Sequence, residues 1–93
     1  MHGCPAFAHG QGDSLLRVWQ DDSEPDSARL HAVQILAWKM VFEQPDSGMA
    51  LARRQLQLAQ RVQSQPAEYE ANTTLAVGSS MRSDYSAALE HLR

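Results

Sequence analysis

His2, Cys4 and His9 place one thiol and two imidazoles within eight residues at the start of the chain. These are ligand types suited to Zn²⁺ or copper. A closed zinc site needs a fourth donor and a held geometry. Neither is evident among Gly3, Pro5, Gly10 and Gly12. Cys4 as a nucleophile would need a positioned base, which such an arm does not offer. Asp21, Asp22, Glu24 and Asp26 form an acidic run without the glycine and the terminal bidentate glutamate of a Ca²⁺ loop. Capping and solvation account for them. His31 and His91 fall in helical patterns, where a surface or packed histidine is commoner than an acid-base group. The chain has no glycine-rich phosphate loop. The expectation is therefore no enzymatic activity, no metal and no cofactor.

The composition fits that reading. Ninety-three residues suffice for one small core. The apolar share is 43% with only 6% aromatics, and abundant Ala, Leu and Gln favour helix over sheet. Eight basic against eleven acidic side chains give a net charge of −3, a poor match for duplex nucleic acid. A single cysteine excludes an internal disulfide. The stretch from Val33 to Val41 is broken by Gln34 and Lys39 and is too short to span a membrane. With no signal-type segment before Gly10-Gln11-Gly12, a cytoplasmic location is expected.

The chain divides at its Pro, Gly, Asp and Ser clusters. Residues 1–12 read as a flexible arm and 13–93 as one helical domain. Asp13-Ser14 would cap a short helix, 13–20, with Leu15, Leu16 and Trp19 on one face. A hairpin follows over 26–63. Its first helix carries one apolar stripe of Leu30, Val33, Leu36, Ala37, Met40 and Val41 and a second of Ile35, Trp38 and Phe42. Gln44-Pro45-Asp46-Ser47-Gly48 breaks it. The next helix buries Met49, Ala52, Leu56 and Ala59, widened by Leu51, Leu58 and Val62. Gln55, Gln57, Gln60, Arg53, Arg54 and Arg61 make its solvated face. A partial hairpin is expected over 66–93. Pro66 opens a fourth helix with a small-residue stripe of Ala71, Leu75, Ala76, Gly78 and Ser79, and Asp84 caps a fifth bearing Tyr85, Ala88, Leu89 and Leu92. That last helix would still be running at Arg93, as in an array that continues in a longer protein.

Leu36-Ala37 and Leu75-Ala76, each followed by Ala52…Leu56…Ala59 and Ala88…Leu92, resemble the large–small and alanine-spaced elements of tetratricopeptide (TPR) repeats. The likeness covers about residues 28–93. Asn72 and Ser79 stand where the family has aromatics, and the loop around Pro45 is a few residues longer. Ala- and Arg-rich repeats of this kind are also similar to the N-terminal sensory regions of some bacterial diguanylate or adenylate cyclases and transcription regulators. The resemblance implies an all-α stack of antiparallel hairpins, a short TPR-like right-handed solenoid of about five helices.

It further implies a scaffold that binds a peptide or helix in a concave groove lined by the first helix of each hairpin. By that carry-over Gln34, Trp38 and Phe42, with His31 and Val41 beside them, line one part. Thr73, Val77 and Met81, with Glu70 and Ser80, line the next. Packing of Trp38 and Phe42 against the N-terminal helix is the competing expectation. Homodimerisation through the open face of helix five, or a regulatory role in a signalling protein whose chemistry lies elsewhere, are the alternatives. The partner expected is a protein segment, neither nucleic acid nor membrane.

Overall fold

The connection between the two central helices is a single residue. In the computed structural model, which describes the backbone of residues 7–91 and the side chains of residues 14–84, Gln44 alone separates α2 (Asp26–Glu43) from α3 (Pro45–Arg61). Its backbone is extended (φ −140°, ψ 88°). Its N–H donates to the Met40 carbonyl at 2.7 Å, and its own carbonyl accepts from Gly48 N–H at 3.0 Å. Pro45 stands first in α3, where its missing N–H is no loss. Such a joint folds the first turn of α3 directly onto the last turns of α2. A Cβ at Gly48 would collide with the Val41 backbone and come within 2.8 Å of Val41 Cβ, so only glycine permits this approach.

The other two connections are also short. After α1 (Phe7–Gln20), Asp21 Oδ1 accepts from both the N–H (2.9 Å) and the hydroxyl (2.6 Å) of Ser23. These bonds hold the exposed Asp21 carboxyl below the usual carboxylate range. Between α3 and α4 (Gln65–His91), Ser64 N–H donates to Ala59 O at 2.8 Å and Gln63 N–H to Gln60 O at 3.2 Å. Gln63 adopts φ 60°. This pair of bonds around a left-handed residue is a Schellman C-cap, built on glutamine where glycine is usual. The Ser64 hydroxyl then accepts from Ala67 N–H at 3.4 Å and opens α4.

The described residues form four helices and no strand, where five helices were expected. α4 runs unbroken through Ser79–Asp84, so Asp84 is interior to a helix and caps nothing. Ser and Asp are weaker helix formers than Ala by only tenths of a kcal/mol. No proline or glycine interrupts the helix after Gly78, and Arg82 Nε pairs with Asp46 Oδ1 at 3.1 Å, tying this stretch to the start of α3. The face expected for Tyr85, Ala88, Leu89 and Leu92 lies outside the described side chains. At the other end α1 begins at Phe7, not residue 13, and takes in Gly10, Gly12 and the Asp13-Ser14 pair expected to cap it.

Each helix packs against the next, α3 running antiparallel to both α2 and α4, and α2 also touches α4. Trp19 of α1, Leu30, Ala32 and Val33 of α2, Leu58 and Ala59 of α3 and Ala67 of α4 share one buried cluster, flanked by Leu15, Val18, Leu36, Leu51 and Val62. At the opposite end Gly78 of α4 presses on Met49 and Val41. A Cβ there would lie 2.8 Å from Met49 Sδ and 2.9 Å from Val41 Cγ2.

Two expectations about the core are corrected. Gln55, placed on the solvated face of α3, is fully buried between Ala52 and Ala59 on the same stripe. In α4 the buried stripe is Ala67, Ala71, Thr74 and Gly78. Leu75 is half-buried, and Ala76 and Ser79 are exposed. Ala37 is buried while Ala76 is exposed, so the two large–small pairs do not share an environment.

Candidate functional site

α2 buries Leu30, Val33, Ala37 and Val41, and its second apolar row remains uncovered. Ile35 is 38% exposed, Trp38 39% and Phe42 51%. Their i, i+3, i+7 spacing puts all three on one side of the helix. Trp38 and Phe42 meet edge to face, with ring centroids 5.0 Å apart and planes at 90°, a favoured geometry for two π systems. With Gln34, Lys39 and Glu43 they line a shallow depression of about 470 Å³. Among the described residues the other large exposed apolar side chains, Leu16 and Tyr69, are not part of it.

Gln34 links this surface to the interior. Gln55 Nε2 donates to Gln34 Oε1 at 2.7 Å, and Gln55 Oε1 is buried with no hydrogen-bond partner. The Gln34 amide therefore borders the apolar row on one side and holds a buried amide on the other.

The residues expected to line the groove are distributed as follows. Gln34, Trp38 and Phe42 come together in the depression. Thr73, Val77 and Met81 are half-buried on α4 and are not among its lining residues. The Thr73 hydroxyl donates to the Tyr69 carbonyl at 2.9 Å within its own helix. Of the neighbours named with them, Val41 is fully buried, whereas His31, Glu70 and Ser80 are exposed. Trp38 and Phe42 pack on each other and stay open to solvent.

A second set of side chains was not anticipated as a site. Arg29 of α2 stacks over the Trp19 ring, 5.0 Å from its centroid, and donates from Nε to the Trp19 carbonyl at 3.0 Å. This bond satisfies a carbonyl at the end of α1 that has no helical partner. Arg29 Nη2 also lies 3.6 Å from Asp22 Oδ1. Arg54, Gln57 and Arg61 of α3 complete a concavity of about 230 Å³ around them. Arg54, Gln57 and Arg61 were expected only as part of the solvated face of α3. Nothing in the residues alone announced that Arg29 would face it.

Among the described residues no three His, Cys, Asp or Glu side chains gather as a metal site, and His2, Cys4 and His9 lie outside the described side chains. No described helix is long and apolar enough to cross a membrane. No family model, curated protein or solved structure matches the chain.

Proposed function

We propose that this protein is an interaction module that docks an apolar, helical or extended segment of a protein partner on the Ile35–Trp38–Phe42 face of α2. The observation that carries this reading is an aromatic pair left open on a helix whose other apolar stripe is buried or half-buried. Exposed aromatic anchors beside polar groups are the usual energetic centre of a protein interface. Gln34, Lys39 and Glu43 around the rim would set register and orientation.

A TPR-like stacking of hairpins is the architecture we favour for presenting that face. α2 and α4 both run antiparallel to α3 and touch each other, and α4 begins at Gln65, 39 positions after Asp26. The order hairpin, then a third helix laid against both members, supports a repeat that buries its faces by stacking.

Selection of a peptide library on the wild-type protein, with counter-selection on a Trp38→Ala/Phe42→Ala variant, tests the reading. Peptides rich in Leu, Ile or aromatic residues that bind only the wild type are expected. Recovery of peptides that bind both proteins equally would sink it. Concentration-dependent dimers abolished by the same double substitution would assign the face to a second copy instead.

A further inference from the structure

We propose that the concavity walled by Arg29, Arg54, Gln57 and Arg61 binds a small phosphoryl anion. Three of the eight basic side chains of a chain with net charge −3 converge on this one pocket. Asp22, paired with Arg29, is the one carboxylate in ion-pair contact with any of the three among the described residues. Asp21 also lies within the electrostatic reach of Arg29, so three guanidiniums face two carboxylates and the local sum is about one positive charge, the sign that a phosphoryl anion needs.

The site is also built. Arg29 has only 15% of its side chain exposed, with one ring face on Trp19 and its Nε held by the Trp19 carbonyl. Of its five N–H donors, one is committed. Its contact to Asp22 at 3.6 Å is too long for a hydrogen bond, so the Nη hydrogens remain for a ligand. A guanidinium fixed in orientation before binding loses little entropy and offers the forked pair of donors that fits two oxygens of one phosphoryl group. Arg54 and Arg61, two turns apart on α3 and exposed, add their charge to the lining, and the exposed Gln57 amide between them supplies a neutral donor. Trp19 is buried and covered by Arg29, and so offers no open aromatic face for a base to stack on; the ligand is the anion itself.

Calorimetric titration with inorganic phosphate and with pyrophosphate, at constant ionic strength, tests this. Saturable binding in the millimolar range or tighter is expected. A doubly substituted Arg54→Gln/Arg61→Gln protein, verified as folded by its helical circular dichroism, should bind roughly tenfold more weakly or worse, since charge-assisted bonds are lost. Absence of saturation, equal binding by the double variant, or acetate binding as strongly as phosphate would each overturn the proposal. A phosphoserine peptide that outcompetes pyrophosphate would overturn the assignment to a small ligand.

Discussion

Gln55 donates its amide hydrogen to Gln34 Oε1 at 2.7 Å across the α2–α3 interface, and its own carbonyl oxygen, sealed from solvent, receives nothing in return. A half-satisfied buried amide is less stable than an apolar side chain of similar size. Gln55→Leu should therefore be neutral or stabilising by about 1 kcal/mol. Gln34→Ala, which strips the buried amide of its one partner, should destabilise by about 1–2 kcal/mol. Urea unfolding of both variants checks the opposite signs, and loss of stability in Gln55→Leu would show that the pair holds the two helices together.

Gly48 and Gly78 should respond differently to alanine. At Gly48 the obstacle is the Val41 backbone, so the helices must separate and Gly48→Ala should cost about 2–3 kcal/mol. At Gly78 the obstacles are the Met49 thioether and a Val41 methyl. Met49 is adaptable and alanine raises helix propensity by about 1 kcal/mol, so the net change should be smaller. Thermal melts of the two variants give the order directly.

Gln63 sits at φ 60° in the cap of α3 with all its backbone bonds in place. Glycine adopts that conformation without strain, and Gln63→Gly should stabilise by roughly 0.5–1 kcal/mol. A lower midpoint in denaturant would contradict this.

Trp38 and Phe42 test whether the open face serves binding or folding. Either single alanine should lower stability by only about 0.5–1.5 kcal/mol, the worth of an aromatic pair with partial burial, while abolishing capture of selected peptides. A collapse of the melting temperature in Trp38→Ala would make the ring structural.

The Asp21 carboxyl is held below its ordinary value by Ser23. A lowered folded-state pKa means that its contribution is fully present above the ordinary aspartate pKa and is lost as pH falls through the depressed one. Asp21→Asn should therefore lower stability slightly at neutral pH, where the wild type has this contribution, and leave the acid end little changed, which flattens the acid limb of a stability–pH profile. An unchanged acid limb would show that other carboxylates set it.

Much of this fold was readable because its breaks carry strong local chemistry. Pro25, Pro45 and Pro66 each stand at a helix start, where a missing N–H costs nothing. The missed features depend on distant residues. Ser79-Ser80-Met81-Arg82-Ser83-Asp84 looks like a helix start because Ser and Asp cap well, yet α4 runs on through it, with Gly78 seated on Met49 and Arg82 paired with Asp46 of α3. Gln55 reads as surface by type and as core by its spacing from Ala52 and Ala59. Of the candidate surface, the Trp38–Phe42 row was legible as a helical stripe. That α2 would leave it uncovered, and that Arg29 would meet Arg54 and Arg61, depends on which helices lie beside it.

Val41 is the point at which α2 admits both α3, through Gly48, and α4, through Gly78. Substitution there is consequently not a private matter for one position. A larger side chain at 41 demands space that neither glycine can yield, and a smaller one frees room that an alanine at 78 could fill. Through evolution or design, these sites should drift as a matched set of sizes. The ancestry of such a hairpin would then survive as a pattern of volumes after the identities of the residues have been lost.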